Sequence, residues 1–169
     1  MKRRYKHKTY LINGIAGLHR IRSLILQFTI SFKTTFMQQL RDSQKCYVCG
    51  YKNPVGLAVN FTIDKSEKSV RATFIPSDNH QSFEGIVHGG IISALLDEAM
   101  GKLAFNLGTP AVTAELTVRF KAPSAPGEEL IITGRIMQET KRLIMAEARI
   151  QRGPVVIAEA EGKLLRTSS

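Results

Sequence analysis

The sequence predicts an α+β domain in which an antiparallel sheet curves around one long central α-helix, preceded by a basic extension. Three observations predict it. Two alternating apolar runs precede a single long helical pattern, and four such runs follow it. The links between the later runs are short, which makes neighbouring strands antiparallel. The helix is apolar around much of its circumference, so a sheet that wraps it suits it.

The elements follow in order. Leu57, Val59, Phe61 and Ile63 alternate with Ala58, Asn60 and Thr62, the period of a strand with one buried face. After a DKSEK turn, Val70, Ala72 and Phe74 face inward on a second strand, and Pro76 opens the loop IPSDNHQSFEG. The helix runs from His88 or Gly89 to Asn106 and stops at Gly108-Thr109-Pro110. A strand then places Val112, Ala114, Leu116, Val118 and Phe120 opposite Thr113, Glu115, Thr117, Arg119 and Lys121. Strands over 130–138, 143–151 and 155–165 complete the sheet, separated by ETKR and Arg152-Gly153-Pro154.

The charge divides by position. Residues 1–45 carry ten Lys/Arg against Asp42 alone, a balance of +9, whereas residues 46–169 are near balance at +1, so nearly all of the chain's formal +10 belongs to its leader. No dense Lys/Arg run lies in residues 46–169, which excludes a nucleic-acid domain there. The longest charge-free apolar run of the leader, 23–32, is too short for a membrane span. Three readings of the leader stay open: a mitochondrial transit peptide, a membrane-surface amphipathic arm, or sequence upstream of a true start at Met37. The domain division is therefore 1–45 and 46–169. Cys46 and Cys49 form one CxxC, read as a tight turn with two reduced thiols. A metal would have to recruit His80, His88 or a second subunit, because zinc needs four ligands.

The stretch GIVHGGIISALLDEAM places two carboxylates in the most apolar helix of the chain, where an unpartnered carboxylate costs several kcal/mol. Helical spacing separates them. Asp97 shares its stripe with Gly90, Ser93, Ala94, Gly101 and Ala104, small residues that let another backbone come close. Glu98 has Lys102 four residues on and reads as an exposed ion pair. Gly89 and Gly90 strip side chains from a helix start, where unsatisfied N–H groups and the dipole favour an anion. His88 beside them suits a role in orienting the loop.

That stretch resembles the signature of hotdog-fold acyl-CoA thioesterases of the PaaI-like branch, an HGG with an Asp nine residues after the His. VTAELTVRFKAPSAPGEEL and CYVCGYKNPVGLAVNF extend the resemblance over residues 46–165. It implies hydrolysis of an acyl-CoA, or of an acyl-carrier-protein thioester, in the cytoplasm, with no metal or redox cofactor. An imported leader would move the reaction to mitochondria. The resemblance assigns Asp97 as the carboxylate that attacks the thioester or activates water. It assigns the Gly90 N–H, with Gly89, as the oxyanion donor beside His88, and Thr113 as a hydroxyl that places the water or the carboxylate. Some relatives have an Asn where Ser82 stands here. Ser82, Phe83, Ile86, Met100 and Leu103 are the expected substrate-binding residues. Because the glycines and Asp97 lie about 10 Å apart along one helix, the resemblance implies a site shared between two subunits of a dimer or dimer of dimers. The same fold also serves as a non-catalytic acyl-CoA-binding module or an enoyl-CoA hydratase.

Overall fold

The computed structural model describes residues 40–42 and 44–167. The leader readings, Met37 and the 23–32 run among them, lie outside those residues.

Eight strands and one long helix are present among the described residues: β1 (Thr62–Asp64), β2 (Ser69–Phe74), β3 (Gln81–Phe83), β4 (Ile86–Val87), α1 (Gly89–Asn106), β5 (Ala111–Phe120), β6 (Leu130–Glu139), β7 (Leu143–Arg152) and β8 (Val155–Arg166). Six form one antiparallel sheet in the order β1-β2-β6-β7-β8-β5, with β5 at its edge. The helix packs on one face of this sheet, against β2, β5, β6, β7 and β8.

Size complementarity seats the helix. The inner face carries small residues at neighbouring positions, with Gly134 opposite Ala148, Ala148 opposite Ala160 and Ala146 opposite Gly162. Into the space they leave, α1 buries Ile92, Leu95, Leu96, Ala99, Met100, Leu103 and Ala104. Met100 lies directly against Gly162. Larger residues of the sheet, Leu130, Ile132, Ile144, Ile150 and Leu164, are fully buried around that floor. Truncating one such leucine to alanine costs about 2–5 kcal/mol. The outer face alternates to charge: Arg119 pairs with Glu161, Arg135 with Glu147, and Arg149 with Glu159. Exposed pairs of this kind add little stability. No helix among the described residues is long and apolar enough to cross a membrane.

Two expectations change. The strand expected over 57–63 begins only at Thr62, because Ala58 takes a left-handed φ of 51° and the Leu57 and Val59 amides donate to Tyr47 and Val48 carbonyls at 2.7 and 2.8 Å. The period-two burial survives, with Val59 buried and Ala58 and Asn60 exposed. The loop before the helix contains a short 3-10 turn, Asp78–His80, and the β3–β4 hairpin, which turns at Gly85 with φ 74°. Strands this short leave no readable alternation.

Candidate active site

The helix start is built by three consecutive residues. His88 is the N-cap, and its Nδ1 accepts from the Gly90 N–H at 2.7 Å. Its own N–H donates to the His80 carbonyl at 2.7 Å, which ties the helix start to the β3–β4 region. The first turn then has one spare amide: the Gly89 N–H has no hydrogen-bond partner among the described residues. An open backbone donor at the positive end of an 18-residue helix is suited to an oxyanion. The Phe120 ring stands over Gly89, 3.4 Å from where a side chain would begin.

Two turns further on, Asp97 lies on the side of α1 that faces the β5 edge of the sheet. It is half-buried, and its Oδ1 accepts from the Thr113 hydroxyl on β5 at 2.7 Å. A register shift between Thr113 and Glu115 marks this part of the β5–β8 pairing. Asp97 and Thr113 line a cleft of about 310 Å³ with Cys46, Cys49, Glu98 and Phe105 among its other walls. Along the same open stripe Ser93, Ala94 and Gly101 are only partly covered, and space for a side chain at Gly101 is unobstructed.

The structure therefore brings Asp97 and Thr113 together, and separately His88, Gly89 and Gly90. Of the expected substrate-binding residues, Ser82, Phe83 and Ile86 are exposed on the hairpin. Met100 and Leu103 are corrected: both are fully buried in the core, so neither faces an open surface of this chain. Phe120, expected inward on β5, is 55% exposed. It belongs with the apolar side chains around the helix start, and its place on an edge strand gave no sequence signal of that.

Glu98 is the second correction. The CxxC turn docks on its face of α1, and this redirects the expected ion pair. Glu98 Oε2 accepts from the Cys46 thiol at 3.2 Å, while Lys102 Nζ reaches Asp42 at 3.2 Å and Cys49 Sγ at 3.5 Å. Burial first, then the Glu98 carboxylate, pushes the Cys49 thiol up to about 12.

A sheet wrapped on one helix, with a histidine-capped diglycine at the start and an acid on the open side, defines a hotdog-fold domain. Residues 84–158, somewhat under half of the chain, match the family model of the thioesterase superfamily. Mouse (Mus musculus) acyl-coenzyme A thioesterase 13 is 30% identical over 71 residues, which covers 41% of this chain and 51% of the relative. The chain thus spans about half the length of that curated relative. A crystal structure of the thioesterase superfamily protein RHA08564 superposes with a TM-score of 0.68 at 26% identity, covering 90% of this chain and 84% of that one. A Streptococcus mutans UA159 protein, smu.793, solved bound to acetyl CoA, shares the fold with a TM-score of 0.62 at 20% identity, over 70% and 98% of the two chains.

Proposed function

We propose that this protein hydrolyses acyl-CoA thioesters to the free acid and CoA, with Asp97 of one subunit acting on a carbonyl held at the helix start of another. The observation that carries the reading is the Thr113–Asp97 hydrogen bond on the open side of α1. Thr113 fills one lone-pair direction of the carboxylate and leaves the other oxygen for a water. Asp97 takes a proton from that water, and the hydroxide adds to the thioester carbonyl. The resulting oxyanion is held by the free Gly89 N–H, with Gly90 joining when its amide turns from His88 Nδ1 to the substrate. Collapse expels the CoA thiolate, which leaves with the proton held by Asp97.

Within one chain Gly90 and Asp97 are about 10 Å apart along the helix axis, whereas a shared carbonyl needs contacts near 3 Å. A second copy lying along the stripe of Gly90, Ser93, Ala94, Asp97 and Gly101 brings its own diglycine to Asp97. The acyl group then rests against Phe83, Ile86 and Phe120, beside Ser82. The site of action is the cytoplasm, or mitochondria where the basic leader directs import.

Asp97→Asn tests the reading directly, since it keeps shape and removes the base. Thiol release from a panel of aromatic and aliphatic acyl-CoAs is expected to fall by at least about a hundredfold, with the dimer retained. Full activity in this variant would refute the assignment.

A further inference from the structure

The CxxC turn has no role in this chemistry, yet it is built with care. Cys46 and Cys49 sit on a turn closed by the Gly50 N–H donating to the Cys46 carbonyl at 2.9 Å. A side chain at Gly50 would begin 2.4 Å from the Cys46 nitrogen, so the turn requires glycine. Val48, between the cysteines, is buried, and the amides of Leu57 and Val59 fasten the turn from below. Its two sulfurs point at the third turn of α1, where the Glu98 carboxylate meets them. One ligand atom from each of Cys46, Cys49 and Glu98 lies within 4.8 Å of the other two.

We infer that Cys46, Cys49 and Glu98 form a binding site for a thiophilic divalent cation, zinc first, which staples the CxxC turn to α1 beside Asp97. Tetrahedral zinc holds sulfur at about 2.3 Å and carboxylate oxygen at about 2.0–2.2 Å, which sets neighbouring ligand atoms about 3.5–3.8 Å apart. The Cys46 Sγ to Glu98 Oε2 separation of 3.2 Å is already close to that spacing. Two thiolates, a carboxylate and a doubly charged ion carry one net negative charge, and the Lys102 ammonium 3.5 Å from Cys49 Sγ offsets it. Water supplies the fourth position.

The alternative use of a CxxC is a disulfide. That would engage the two sulfurs and leave Glu98 half-buried against them with no cation to meet. The third donor favours the metal. Its chemical class follows from the donors, since sulfur selects zinc-like ions over magnesium or calcium. Binding displaces a proton from each thiol, so no oxidant or reductant is needed. This inference does not rest on the thioesterase reading.

The test uses the full chain, reduced and stripped of metal, then titrated with zinc against a chromogenic chelator and separately with cobalt(II). One zinc per chain is expected, with a thiolate-to-cobalt charge-transfer band and a higher Tm in the wild type. Cys46→Ser combined with Cys49→Ser removes the band and the stoichiometric binding. Glu98→Gln keeps the band and weakens zinc at least about tenfold. The cobalt spectrum of the unmutated protein keeps the test valid if a variant fails to fold. No charge-transfer band, zinc binding unchanged in the double variant, or zinc-loaded protein that still oxidises to a Cys46–Cys49 disulfide would each overturn the site.

Discussion

Thr113→Val removes one hydroxyl and tests whether the Asp97 carboxylate is positioned for chemistry. The substitution keeps size and β-branching on β5, so strand propensity is held constant. What is lost is a 2.7 Å hydrogen bond to Asp97 Oδ1. Hydrogen bonds to charged groups are worth about 1.5–3 kcal/mol when buried. Thr113 is exposed and Asp97 only half-buried, so solvent screening reduces this to about 1–1.5 kcal/mol. If that energy orients the base in the transition state, kcat falls about tenfold, with KM nearly unchanged. Stability should fall by no more than that same amount, about 1–1.5 kcal/mol. Thr113→Ser restores the donor and most of the rate. Steady-state kinetics by thiol release and a thermal melt on the three proteins decide it. An unchanged kcat in the valine variant, or equal losses in valine and serine variants, would refute the positioning role.

Two further outcomes follow from the same structure. Ser124 is 4% exposed, and its Oγ has no hydrogen-bond partner among the described residues. Ser124→Ala therefore removes a desolvated hydroxyl and is expected to leave stability equal or raise it by about 1 kcal/mol, measured by urea denaturation; a loss of that size would show that the hydroxyl is satisfied. Deleting residues 1–36 is expected to leave the thioesterase rate unchanged, because the described site is built within residues 40–167. A large loss of rate would show that the leader contributes to the site.

The fold was legible because its signals are local. The helix could be placed at Gly89–Asn106, and β6, β7 and β8 within one residue at each end, from alternation and from turns at glycine and proline. The strand over 57–63 misled because its alternation records burial, while the backbone pairs with the CxxC turn rather than with a neighbouring strand. Asp97 stood out through its small-residue stripe, whereas parity set Thr113 off the apolar face of β5, and only the register shift between Thr113 and Glu115, which pairs Thr113 with buried Leu164, brings its hydroxyl to that acid. The partner of Glu98 was illegible, since Cys46 lies 52 residues away and helical spacing offered Lys102 instead. Met100 and Leu103 were misplaced for a related reason. Periodicity shows that a helix is apolar on most sides, but the wrapping of the sheet decides which sides are core.

Complementation between chains tests the shared site most directly. Neither Asp97→Ala nor Gly89→Pro, which deletes the free amide donor at the first helical position, should be active alone. Co-expressed, they form randomly mixed dimers, half of them hybrid, and each hybrid holds one site with both groups intact. Recovery to about a quarter of the wild-type rate is the predicted result for such a two-fold arrangement. No recovery, with hybrid dimers confirmed by native mass spectrometry, would place Asp97 and the diglycine in the service of a single chain and contradict the account.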